Sequence, residues 1–148
     1  MLKTVLNGVT LKNPVIAASG TFGFGQEYDQ FFDISRLGGI SSKGLTLEER
    51  FGNETPSGLI NSIGLQNPGV DAFIRDDLPF LRQKDTAVIA NLGGSTIESY
   101  LEGVEKLNET DVDMIELNIS CPNVKHGGMA LGIKCDIAYE AVKQVRAV

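Results

Sequence analysis

The segment Met114–Gly132, M-I-E-L-N-I-S-C-P-N-V-K-H-G-G-M-A-L-G, constrains the fold of this chain more than any other. An apolar run from Met114 to Ile119 ends abruptly in Ser120, Cys121, Pro122 and Asn123. A short apolar run bounded by turn residues reads as a buried strand of a parallel sheet. Pro122 has no amide to donate and biases Cys121 toward extended geometry, so the strand stops there with a thiol at its carboxyl end. That end of the strands is where α/β proteins carry their chemistry. The K-H-G-G sequence that follows predicts a mobile, glycine-permissive cover.

The rest of the chain repeats the alternation of strand and helix. Val5 to Leu11 surrounds Asn7-Gly8, which reads either as a two-stranded lid or as a plain surface turn. Pro14 to Ala18 predicts a first strand ending at Ser19-Gly20. The G-T-F-G-F-G that follows has neither dinucleotide nor Walker spacing, so its glycines alone do not make a nucleotide site. Residues Gln26 to Leu37 have helical spacing, with Gly38-Gly39 as the stop. Ile40 to Ser42 predicts a second strand delivering Lys43 and Gly44. Thr46 to Gly69, rich in Gly, Asn and Pro, predicts a long functional loop. Asp71 to Gln83 is helical in spacing, and Pro79 must kink or divide it. Ala87 to Ala90 predicts a third strand ending in Asn91. Ser95 or Thr96 caps a helix to about Leu107, with Glu98 placed to help. Asp136 to Val148 predicts a final helix with Ile137, Ala138, Ala141, Val142 and Val145 on its apolar face.

Four strand–helix units with short apolar strands predict a parallel sheet with helices outside. Ser19, Lys43, Asn91, Asn118 and Cys121 all follow predicted strand ends. Local alternation suits a doubly wound sheet and a barrel equally.

Composition narrows the function. With 42% hydrophobic and 22% charged residues over 148 positions, the chain can bury a core as one globular domain. Its net charge of −6 argues against a nucleic-acid or anionic-membrane surface. The N-terminus lacks a signal-peptide pattern and no apolar run approaches membrane-spanning length, so a cytoplasmic location is expected. The two cysteines, Cys121 and Cys135, are then free thiols. With a single histidine, His126, they make no recognisable zinc pattern, and no metal is expected.

The motifs L-N-I-S-C-P-N-V with G-G-M-A-x-G, A-A-S-G-T-F-G, S-S-K-G, N-S-I-G-L-Q-N-P-G and A-N-L-G-G occur in order along nearly the whole chain. Together they resemble the class 1 dihydroorotate dehydrogenases, most closely the NAD-linked class 1B catalytic subunit. The resemblance implies a (β/α)8 TIM barrel, of which residues 1–148 would be the amino-terminal half with the first four β/α units. It implies FMN-dependent oxidation of dihydroorotate to orotate in pyrimidine biosynthesis. Cys121 would be the catalytic base, although a free thiol, with a pKa of about 8.5, must be positioned and shielded from water to act at neutral pH.

By the same resemblance, Ser19, Lys43, Gly44, Asn91 and Asn118 contact the flavin. Lys43, Asn61, Ser62, Ile63, Gly64, Leu65, Asn118 and Asn123 contact the substrate. The implied partner is a second subunit carrying FAD and an iron–sulfur cluster, in a homo- or hetero-oligomer. A dihydropyrimidine dehydrogenase-like flavoenzyme shares the N-x-S-C-P strand, but has histidine where this chain has Asn123. A non-enzymatic reading is a half-barrel stable only against another chain, because open sheet edges favour association.

Overall fold

A computed structural model describes residues 2–52, 64–122 and 127–148. The chain opens with a hairpin in which strand β1, Thr4–Leu6, pairs antiparallel with β2, Val9–Leu11. Asn7 and Gly8 both take positive φ, 49° and 84°, the mirror-image turn whose twist matches a two-residue hairpin. The hairpin reading therefore holds over the surface-turn reading. Asn7 borders a groove beside the start of the last strand rather than the cleft described below.

Four parallel strands follow: β3, Ile16–Ala17; β4, Gly39–Ser41; β5, Ala87–Leu92; and β6, Met114–Leu117, in the spatial order β3-β4-β5-β6. Register is regular, with Ser41 opposite Ile89 and Asn91 opposite Glu116. The segment expected to be a buried strand, Met114–Ile119, is shorter and lies at the sheet's edge. Its residues are half-buried and Glu116 is exposed, because β5 covers only one side of it. β5 fills the buried position instead, and it runs through Asn91 to Leu92 rather than stopping at Ala90.

Two expected helices take other forms. Residues 26–37 hold only α1, Gln26–Asp29, and a 3₁₀ turn, Ile34–Arg36. Asp33 is extended and its Oδ1 accepts the Ser35 amide at 2.9 Å, taking a backbone donor that a continuous helix would need. The first crossover is thus a broken connection and not a full helix. The second keeps its helical path as α2, Val70–Ala72, a π-helical segment, Phe73–Asp77, and α3, Leu78–Leu81. Pro79 lacks an amide and its ring crowds the carbonyl four residues earlier. A π-turn just ahead of it relieves both, so the helix widens rather than divides.

Helix α4, Ile97–Asn108, starts at Thr96. Its capping box is closed by Ser99 and not by Glu98: Thr96 Oγ1 accepts the Ser99 amide and Ser99 Oγ accepts the Thr96 amide, each at 3.3 Å. Ser99 is the third helical residue, and Glu98 is one position too early to reach back. The G-G-M-A-L-G segment forms a short helix α5, Met129–Gly132, and α6 spans Cys135–Val145. On the predicted apolar face of α6 only Ala141 is buried, while Ile137 and Val142 remain 36% and 42% exposed.

The core lies on the helix side of the sheet, where Ile40, Val88, Ala90 and Leu92 meet Phe73, Leu81, Val104 and Leu107. Gly103 sets the distance between α4 and β5. A Cβ there would stand 2.9 Å from Leu92 Cδ1 and 3.1 Å from Cδ2, and Leu92 is fully buried with nowhere to move. Gly103→Ala gains about 1 kcal/mol of helix propensity but costs about 1–3 kcal/mol in overpacking. The expected net result is a loss of stability, read as a lowered denaturant midpoint. An unchanged or raised midpoint would show that the contact is slack.

Candidate active site

Alternation along a strand sends successive side chains to opposite faces. With Ile40, Val88, Ala90 and Leu92 turned to the helices, Ser41, Ile89, Asn91, Glu116 and Asn118 share the other face. Asn118 Nδ2 donates to Asn91 Oδ1 at 3.1 Å, and Ser41 Oγ donates to Glu116 Oε2 at 2.6 Å. The backbone holds this row: the Leu45 amide donates to Asn91 O at 2.8 Å, the Asn118 amide to Leu92 O at 2.7 Å, and the Asn91 amide to Ser42 Oγ at 3.1 Å.

At the carboxyl ends of the strands these side chains border a cleft of about 550 Å³. Ser19, Lys43, Gly44, Gly64, Leu65, Asn91, Asn118 and Cys121 all line it. Asn61, Ser62, Ile63, Asn123 and His126 lie outside the described residues. The Lys43 amide donates to Gly23 O at 2.9 Å, which fixes the end of β4 under the Gly20–Gly25 turn. Among the described residues the Lys43 ammonium forms no ion pair with an acidic side chain. Gly44 admits the Leu65 and Asn91 side chains against its backbone, because a Cβ there would meet Leu65 Cδ2 at 2.9 Å and Asn91 Oδ1 at 3.2 Å.

Cys121 is half-buried in the cleft, whereas Cys135 is exposed at the first residue of α6 and does not line it. The Cys121 carbonyl accepts the Met129 amide at 3.0 Å, so α5 anchors the loop that carries the thiol. Fully buried Tyr100 ties the same loop to the sheet: its hydroxyl donates to Asn118 O at 2.7 Å and accepts the Gly128 amide at 3.2 Å. Burial pushes the Tyr100 phenol up, so it keeps the proton that it donates. A second groove, about 520 Å³, runs between α4, β6 and α6, and has none of these convergent groups. Among the described residues no cluster of His, Cys, Asp and Glu suits a metal, and no helix is long and apolar enough to cross a membrane.

A family model described as dihydroorotate dehydrogenase matches residues 1–148. The chain belongs to the dihydroorotate dehydrogenase family. It is 61% identical over 156 aligned positions to a dihydroorotate dehydrogenase B (NAD(+)) catalytic subunit from Petrotoga mobilis, covering 100% of this chain and 52% of that protein. It is 51% identical to the protein of the same name from Thermoanaerobacter pseudethanolicus, covering 99% and 51%. The chain therefore spans about half the length of the curated relatives it matches. A crystal structure of the dihydroorotate dehydrogenase of Eimeria tenella in complex with ferulenol superposes with a TM-score of 0.73 at 21% identity, over 99% of this chain and 43% of that one. That likeness shows that the fold is shared.

Two structural supports of this dihydroorotate dehydrogenase-family cleft were not singled out from sequence. Tyr100 gives no signal, since an aromatic residue at helical spacing reads as core. Asn67, in L-Q-N-P-G, reads as a turn residue, yet its buried side chain knots the returning end of the long loop. Asn67 Oδ1 accepts the Thr46 and Gly69 amides at 3.0 and 2.9 Å, and Nδ2 donates to Thr46 Oγ1 at 2.9 Å and to Leu65 O at 2.6 Å. The knot holds Leu65 at φ 59°, a conformation that a branched side chain adopts only when its surroundings impose it. Asn67→Ala strands the two buried amides at about 1–3 kcal/mol each. It should lower stability by about 2–4 kcal/mol and speed amide exchange at Thr46 and Gly69. Wild-type exchange at both amides would contradict the role given to Asn67.

Proposed function

We propose that the complete protein is an NAD-linked, class 1B dihydroorotate dehydrogenase that oxidises dihydroorotate to orotate with FMN. The relatives' shared name supports the class, and the family model spans every residue of the chain. The observation that carries the mechanism is the meeting of Lys43, Asn91, Asn118 and Cys121 in one cleft.

The residues fit a flavin. In the cleft stand the Lys43 ammonium and the Asn91–Asn118 amide pair, donors and acceptors suited to a ring edge of mixed polarity, and Gly44 lets the Leu65 and Asn91 side chains pack close beside them. Ser19 and the backbone at Gly44 complete this contact. Bound FMN supplies the hydride acceptor.

The chain's own side chains do the rest. Lys43 attracts the substrate carboxylate and offers positive charge where negative charge builds up on the ring system. Asn118 holds an amide edge of the pyrimidine, and the family resemblance gives Asn61, Ser62, Ile63, Gly64, Leu65 and Asn123 the remaining substrate contacts. Cys121 Sγ takes a proton from one ring carbon while the neighbouring carbon gives up a hydride, so the substrate loses two electrons and gains a carbon–carbon double bond. Removing water from around the thiolate keeps the proton transfer directed.

The remaining strands of a (β/α)8 barrel, with the phosphate-binding loops that such barrels place after strands seven and eight, belong to the same proposal. So do the iron–sulfur and FAD subunit that would pass electrons to NAD, and a cytoplasmic location. One observation favours a narrower reading, in which these 148 residues act only with a further part of the barrel: among the described residues β6 pairs on one side only, and Ile137 and Val142 of α6 are exposed.

Cys121→Ser in the complete protein replaces the base by a much weaker one. Flavin reduction by dihydroorotate should slow by about 10²-fold or more, with the flavin still bound and its visible spectrum retained. Cys135→Ser should leave the rate unchanged. A near-wild-type rate in the Cys121 variant would remove the thiol from the mechanism.

A further inference from the structure

We propose that Glu116 is a positioning residue of this site, acting through Ser41 as a brace across the sheet. The inference rests on the dihydroorotate dehydrogenase reading for its kinetic consequence, but its structural basis stands on geometry alone.

A carboxylate in the middle of M-I-E-L is out of place in a strand that otherwise packs on helices. Its neighbours Ile115 and Leu117 face the core, so Glu116 faces the cleft side, where it borders the cleft two residues below Asn118. Its Oε2 accepts Ser41 Oγ at 2.6 Å, the short distance of a charge-assisted bond between hydroxyl and carboxylate. Ser41 lies on β4 and Glu116 on β6, and these strands do not touch, because β5 lies between them. The side chain therefore reaches over β5, below the Asn91–Asn118 pair.

Each end of the brace sits two residues before a group that the cleft uses. Ser41, the last residue of β4, lies two before Lys43, and Glu116 of β6 lies two before Asn118, with Cys121 three residues further on. Strand ends open more readily than strand centres, and Ser41 ends β4 while Glu116 lies one residue before the end of β6. A bond from β6 to β4 fixes the separation of the lysine side of the cleft from the thiol side, which the backbone ladder through β5 sets only in two steps. The bond needs an acceptor at the Glu116 position, and it does not need the negative charge for its reach.

The test is a double-mutant cycle in the complete enzyme with Ser41→Ala, Glu116→Ala and the pair, plus Glu116→Gln, whose amide oxygen can still accept from Ser41. The readouts are thermal midpoint, amide exchange at Leu45 and Asn118, and the separate effects on kcat and KM for dihydroorotate. Both single alanine variants should exchange faster by several-fold at these two amides. Each should lower kcat/KM by about tenfold, mostly in kcat, without a matching fall in thermal midpoint. The double variant should be no worse than the worse single one, and Glu116→Gln should stay within about threefold of wild type.

Additive losses in the cycle, a Glu116→Gln variant as impaired as Glu116→Ala, or unchanged kcat/KM and exchange in Ser41→Ala would each overturn the brace. Ser41→Ala only removes a hydroxyl, so the cycle retains a readable arm if Glu116→Ala does not fold. If the wild-type protein does not oxidise dihydroorotate, the functional reading fails by itself. The exchange rates and their non-additivity then still decide the brace.

Discussion

Strand alternation under a one-sided helical layer is the constraint on which the rest of this structure depends. Ile40, Val88, Ala90 and Leu92 must face α4 and the Val70–Leu81 helix, because burying them supplies the driving force for the sheet to form. Once they do, Ser41, Asn91, Glu116 and Asn118 have no choice but the opposite face. The polar row is thus a by-product of where the apolar row goes. The site inherits its geometry from the core, and the tight seat of Leu92 against Gly103 in turn sets the height of Asn91. A cleft built on strands in this way keeps its groups in fixed register, while the loops above it vary more freely.

Much of this was legible in the residues. The strand that delivers Cys121 and the helix before β6 follow from local rules with short reach, while the structure decides the hairpin over the surface turn at Asn7-Gly8 and Thr96 over Ser95 as the cap. The strand ends before Ser19 and Lys43 were readable by the same local rules, whereas β5 runs on past Asn91 to Leu92; the structure still gathers Ser19, Lys43, Asn91 and Asn118 into one cleft. The position of β6 was not legible, because an apolar run has the same pattern at the centre of a sheet and at an edge awaiting a neighbour. Residues 26–37 show the complementary failure. Tyr28, Phe31, Phe32 and Ile34 are spaced as in a helix, yet Asp33 diverts a backbone amide and leaves Phe31 84% exposed.

The supporting residues were hidden for another reason. Asn67, Tyr100 and Ser41 each reach a partner 18 to 75 positions away, Asn67 with Thr46, Tyr100 with Asn118 and Ser41 with Glu116. Sequence spacing carries no trace of such pairs. Glu116 did leave a trace, a charge inside an apolar run, but only the register across β5 shows which residue it meets. Roles for Lys43, Gly44 and Cys121 came from resemblance to a family, and the geometry adds that they border the same space.

The central claim is that this cleft, at the carboxyl ends of β3 to β6, holds a flavin and a planar anionic substrate together. A crystal structure of the complete protein with FMN and orotate tests it most directly. The account predicts the orotate carboxylate within hydrogen-bonding distance of Lys43 Nζ, the ring stacked between the flavin and the Cys121 loop, and the flavin edge against Gly44 and the Asn91–Asn118 pair. A flavin seated elsewhere, or orotate bound with Cys121 Sγ out of reach of its ring, would contradict it.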